Sequence, residues 1–141
     1  GPEHTSTLGT VNNLGSLYAD LGRLDEAEKM YQHALRGYKK AISPENMPTF
    51  IPALNTIWGL ASLFENQNRV EDAKAFYSQA ISGYEKVFRS DHLICQALRN
   101  RLAALDKERG EIKNTVSRQN RKADRGYQAK ARLRCCGLLR I

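Results

Sequence analysis

The chain has 141 residues, 41% hydrophobic and 26% charged, enough for one soluble domain with a core. No run approaches the roughly 18 apolar residues a membrane helix needs. Cys95 alone and the neighbours Cys135 and Cys136 make no disulfide framework, so a reducing, cytoplasmic setting is expected. The net charge of +7 is uneven. Residues 1–106 hold 11 Lys and Arg against 12 Asp and Glu, whereas residues 107–141 hold 11 against 3. The basicity belongs to the tail. Gly1 stands where an initiator Met would, and no charged-then-apolar leader follows, so the sequence reads as a piece of a longer chain.

In chain order, residues 1–7 read as a loop into a first helix, with Thr5 or Ser6 as its N-cap. That helix runs to about Leu21. Leu14, Leu17, Tyr18 and Leu21 recur at helical spacing before Gly22 stops it. Asp25 and Glu26 suit the positive end of a second helix, expected over 24–41, whose buried stripe is Ala27, Met30, Tyr31, Ala34, Leu35 and Tyr38. Small Gly15 and Ala27 let the two backbones approach. Ser43, Pro44, Pro48 and Pro52 punctuate the next connection. A third helix is expected to begin between residues 47 and 53 and to end near Asn66, and a fourth to cover 70–88.

The stretch 14–38, LGSLYADLGRLDEAEKMYQHALRGY, returns as 60–84, LASLFENQNRVEDAKAFYSQAISGY. Leu14 maps to Leu60, Tyr18 to Phe64, Arg23 to Arg69, Ala27 to Ala73, Tyr31 to Tyr77, Ala34 to Ala80 and Tyr38 to Tyr84. Gly22 becomes Asn68, which tolerates the left-handed backbone glycine often supplies at a helix end. A self-similar helix pair marks a solenoid. The pattern of Leu-Gly, Tyr, Ala, aromatic and Ala positions resembles the tetratricopeptide repeat. It looks most like the longer repeats of kinesin light chains and of fungal proteins that join such arrays to nucleotide-binding signalling domains. Gly1-Pro2-Glu3-His4 and Ser43-Pro44-Glu45-Asn46 are similar to that subfamily's inter-repeat loop, and an insertion at 47–53 lengthens the offset.

The resemblance implies an all-α solenoid of antiparallel helix pairs in a right-handed superhelix. Repeat 1 would occupy 1–42, repeat 2 43–89, and a partial third repeat 90–110. Leu102 and Leu105 stand where Leu14 and Leu17 stood, and Gly110 falls where Gly22 did. The signature then decays, leaving a basic segment, 111–141, as a capping helix or a disordered tail. Ile112, Val116, Ala123, Tyr127, Ala131, Cys135 and Leu138 share one helical face that could cover the end of the array. A helix over 111–125 and disorder in the last ten residues are the expectation.

In this family the first helix of each pair lines a concave groove. By position that surface takes Gly9, Asn12, Asn13, Ser16 and Asp20, then Asn55, Trp58, Ser62, Glu65 and Asn66, then Asn100 and Arg101. Amides carry donors and an acceptor, so they can hold an extended peptide backbone without demanding one side chain. The kinesin-light-chain resemblance implies that part for Asn13 alone, since Gly59 stands at the equivalent place in the second repeat. Trp58 either faces the groove as an aromatic anchor or folds against the insertion. A clamp for a chaperone's C-terminal carboxylate fits poorly: Asn12 and Ser16 stand where Lys and Asn are wanted, and only Asn13 and Arg101 resemble its members.

No enzyme is expected, and no cofactor. His4, His33 and His92 have no partners at triad or metal-ligand spacing. His4 and His92 are repeat equivalents, which favours loop capping. The expected function is a protein–protein scaffold that holds an extended peptide or partner helix through Asn12, Asn13, Ser16, Asn55, Trp58, Ser62, Asn66 and Arg101. The alternative is an acidic partner or nucleic acid on the basic segment 113–140, through Arg118, Arg121, Lys122, Arg125, Lys130, Arg132, Arg134 and Arg140. Tyr127 is that segment's only aromatic, so base stacking has little support. Exposed repeat ends also suit homo-oligomerisation.

Overall fold

The computed structural model describes residues 4–135, with side chains described for residues 4–130. Five helices follow one another: α1 (Thr5–Asp20), α2 (Leu24–Ala41), α3 (Ile51–Asn66), α4 (Val70–Val87) and α5 (Leu93–Cys135). No strand occurs among the described residues. The chain falls into two units that meet between Ala103 and Ala104. In the first, α1 packs on α2, α3 on α4, and α2 on α3. This is the all-α solenoid of helix pairs that the sequence implied.

Each pair is made by the same device. The first helix drives a leucine into a glycine notch on the second: Leu8 against Gly37, and Leu54 against Gly83. A Cβ on either glycine would collide with that leucine, and on Gly83 also with the Pro48 carbonyl oxygen at 2.6 Å. Leu8, Leu54, Ala27, Ala34, Ala73 and Ala80 are all fully or almost fully buried. Above the notch, Gly15 leaves a Cβ-sized space 3.0 Å from the Tyr31 ring.

The tight turns also repeat. Gly22 has φ +76° and Asn68 φ +59°, and the amide of the next residue reaches back five positions: Arg23 to the Tyr18 carbonyl at 2.9 Å, and Arg69 to the Phe64 carbonyl at 2.8 Å. Arg23 and Arg69 lie over the rings of Tyr18 and Phe64, 4.7 and 4.1 Å from the centroids. They also pair with Glu26 and Asp72 three residues on. A hydrogen bond from Arg23 holds the Glu26 carboxyl below its ordinary range.

Helix entry departs from expectation. The cap of α1 is His4, whose Nδ1 accepts from the Ser6 amide at 3.3 Å, instead of a hydroxyl of Thr5 or Ser6. His92 does the same for the Ile94 amide at 3.2 Å, so both equivalent histidines are caps. The insertion forms a 3₁₀ turn, Met47–Thr49, that packs on α4 beside Gly83.

The apolar stripe of α1 is corrected as well. Leu14, Leu17 and Leu21 are 38, 53 and 63% exposed, and Tyr18 is only part-buried. Their equivalents Leu60 and Leu63 are each 1% exposed. The difference lies in the neighbour: α2 packs on α3, and α1 has no such helix on that side among the described residues. Met30, expected in the core of α2, is half-buried, as is its equivalent Phe76.

In the second unit, α5 runs straight through Gly110, where a turn was expected. A glycine ends a helix only when the following chain can fold back, and the residues after Gly110 carry no second stripe of small and aromatic groups. Ile112, Val116, Ala123 and Tyr127 share a face but are exposed. Ala131 and Cys135 have no described side chains, and Leu138 lies outside the described residues.

These packing facts separate two classes of glycine. Gly83→Ala is expected to destabilise the chain by about 1–3 kcal/mol through overpacking. Gly110→Ala, with nothing within 4 Å of the added methyl group, is expected to stabilise α5 by up to about 1 kcal/mol. Ala73→Leu belongs with the first class. Thermal or urea melting of the three variants checks the order.

Candidate functional site

The surface formed by α1, α3 and the start of α5 holds two adjoining cavities. The first, about 400 Å³, is lined by Ser16, Ala19, Asp20, Tyr31, Asn55, Trp58, Gly59, Ser62, Leu63 and Asn66. The second, about 370 Å³, is lined by Trp58, Ser62, Glu65, Asn66, Tyr77, Ala97, Leu98 and Arg101. Trp58, Ser62 and Asn66 border both. Six of the eight residues expected in a groove therefore converge: Ser16, Asn55, Trp58, Ser62, Asn66 and Arg101.

The floor of each cavity is a tyrosine from the second helix of the pair. Tyr31 and Tyr77 are 4 and 2% exposed, yet their hydroxyls emerge on the groove side. Tyr31 Oη lies 2.9 Å from Ser16 Oγ, and Tyr77 Oη lies 3.2 Å from Ser62 Oγ. Tyr77 also donates to Glu65 Oε2 at 2.8 Å. Both tyrosines also belong to the packing stripes expected of α2 and α4. The signal that they reach further was the phenol itself, since a buried hydroxyl needs a polar partner.

Several amides are engaged in the fold. Asn12 is turned to the α1–α3 contact, where Oδ1 accepts from the fully buried Thr56 hydroxyl at 2.8 Å; it lines neither cavity. Thr56 also bonds the Pro52 carbonyl at 3.1 Å. Asn55 lines the first cavity while its Oδ1 accepts from Tyr84 at 2.5 Å. Asn13 is exposed, and its side chain makes no hydrogen bond among the described residues. Asn13 too lies outside the lining of both cavities.

Gly59 has its own reason to stand where the first repeat has Asn13. A Cβ there would come within 2.8 Å of the Tyr31 ring, so glycine is what lets Tyr31 reach the groove. Trp58 resolves to the groove side. Its ring meets Tyr84 edge-on at 6.3 Å, it remains part-exposed, and it does not line the separate cavity beside Met47 and Pro48. Arg101 is ion-paired with Glu65, so it is not a free cation for a peptide carboxylate.

Burial, and secondarily the nearby Cys95, pushes the Tyr84 phenol up to about 12; burial also raises Tyr38. Folding therefore favours the protonated phenol, and this contribution to stability is present below the ordinary tyrosine pKa of about 10.

Arg118, Arg121, Lys122 and Arg125 follow a 3-1-3 spacing that puts them on one face of α5, exposed and without ion pairs among the described residues. Lys130 is exposed as well. The side chains of Arg132 and Arg134 are not among those described, and Arg140 lies outside the described residues. No group of three or more His, Cys, Asp or Glu converges among the described residues. No described helix is long and apolar enough to cross a membrane.

The burial of Tyr84 predicts a pH response. Stability is expected to fall as pH rises from about 10 to about 12, with a smaller fall in Tyr84→Phe. Spectrophotometric tyrosine titration alongside thermal melting reads it.

Two segments of the chain match models of the tetratricopeptide repeat, residues 7–46 and residues 55–82. No curated protein matches. The first match spans α1 and α2, and the second lies within α3 and α4. Tetratricopeptide repeats are generally protein–protein interaction modules, and this chain is similar to them over both of its helix pairs.

Proposed function

We propose that the chain is a non-catalytic scaffold that holds an extended peptide or a partner helix along the groove over Tyr31 and Tyr77. The observation that carries this reading is the continuity of the two cavities at Trp58, Ser62 and Asn66. A part-exposed indole flanked by amides and hydroxyls offers one large apolar contact and several places for backbone hydrogen bonds. Asn55 and Asn12 serve this surface indirectly, by fixing Tyr84 and Thr56. A kinesin-light-chain-like mode through Asn13, and a cytoplasmic setting, belong to the same reading. So does self-association through the uncovered face of Leu14, Leu17 and Leu21, which a monomeric mass in light scattering at high concentration would remove.

The second reading is an acidic partner or nucleic acid on α5, favoured by the exposed stripe of Arg118, Arg121, Lys122 and Arg125. Attraction of that kind weakens steeply with salt. A partner held against Trp58 loses little.

Peptide-display selection against the full chain tests the choice. Enriched sequences are expected to lose about tenfold or more in affinity on Trp58→Ala, as a buried aromatic anchor does, and to survive Arg118→Glu/Arg121→Glu. The opposite pattern would transfer the function to α5.

A further inference from the structure

The two cavities are repeat equivalents, and the differences between them are informative. Tyr31 corresponds to Tyr77 and Ser16 to Ser62, so floor and hydroxyl pair are kept. In the second cavity the chain supplies its own cation. The Arg101 guanidinium pairs with Glu65, and the other Glu65 oxygen accepts from Tyr77. In the first cavity Gly59 stands at the Arg101 position and Ala19 at the Glu65 position. Both charged groups are gone, and beside Gly59 the Tyr31 ring takes the place of a side chain.

A carboxylate returns one residue further on. Asp20 is the only charged residue lining the first cavity, and it is exposed and has no ion pair among the described residues. The wall beside it is Trp58, where the second cavity's register position is Asn100. Trp is the side chain whose ring face attracts a cation most strongly.

We infer that the first cavity takes a cationic side chain of the bound segment, arginine or lysine, between the Asp20 carboxylate, the Trp58 indole and the Tyr31 phenol. The inference rests on the groove reading and adds to it the class of residue recognised. Arg101 is the internal counterpart of that ligand, lining one cavity with the equivalent tyrosine. A ligand carboxylate at the same place would face Asp20 and be disfavoured, so the groove selects basic over acidic peptides.

Trp58 is the chain's one tryptophan, so its fluorescence reports on this cavity directly. The probe is a short, terminally blocked Gly/Ser/Asn peptide with one central arginine, compared with the same peptide carrying neutral citrulline. The arginine peptide is expected to perturb Trp58 with an affinity about five- to tenfold higher. Asp20→Asn should erase most of that preference, and Asp20→Glu should keep part of it. Asp20 ends α1 at the surface, where loss of negative charge does not threaten the helix; a melting curve confirms that the variants fold. Equal affinity for the two peptides, or a preference untouched by Asp20→Asn, overturns the cation assignment. In that case peptides from display that still depend on Trp58 leave the groove reading standing. If neither peptide perturbs Trp58 at millimolar concentration and display finds no sequence dependent on Trp58, the groove reading fails and this inference with it.

Discussion

The seating of one leucine in one glycine notch per helix pair is the contact on which the rest depends. Leu8 can reach α2, and Leu54 can reach α4, only because Gly37 and Gly83 carry no side chain. That contact sets a short distance between helices, and the short distance demands Ala27, Ala34, Ala73 and Ala80 along the same seam. A close seam in turn forces the large residues out to its flanks. Tyr31, Tyr38, Tyr77 and Tyr84 fill those flanks, almost wholly buried.

The tyrosines connect packing to the groove. Each ring is core and a buried hydroxyl calls for a polar partner, so three of the four phenols organise the polar groups of the groove side: Tyr31 with Ser16, Tyr77 with Ser62 and Glu65, Tyr84 with Asn55. Tyr38 has no Asn55 counterpart, because Gly9 stands there, 4.0 Å from its hydroxyl when given a Cβ. The groove is thus the outer edge of the core. Its composition varies between repeats at positions such as Gly59, Arg101, Ala19 and Glu65 without disturbing the seam beneath.

The end faces behave differently from the seam. Leu14 and Leu17 belong to the same repeat positions as Leu60 and Leu63, yet one pair is exposed and the other buried. Burial in a solenoid is decided by the next repeat as much as by the residue itself. The basic helix beyond Ala103 follows local propensity: with no second stripe to fold back, it continues through Gly110.

The sequence by itself determined the helix pairs, their limits to within a residue or two, and the left-handed turns at Gly22 and Asn68. These features are periodic and local, so spacing and composition report them. Tertiary structure brought six of the eight expected groove residues into the lining of two adjoining cavities. Tertiary structure alone decided that Asn12 faces Thr56 and that Leu14, Leu17 and Leu21 stay exposed. It also decided that Trp58 turns to the groove and that Arg101 is neutralised by Glu65. Each of those outcomes depends on a neighbour 26 or more positions away, or on the absence of one, and helical periodicity gives a side chain's direction without saying what stands opposite it.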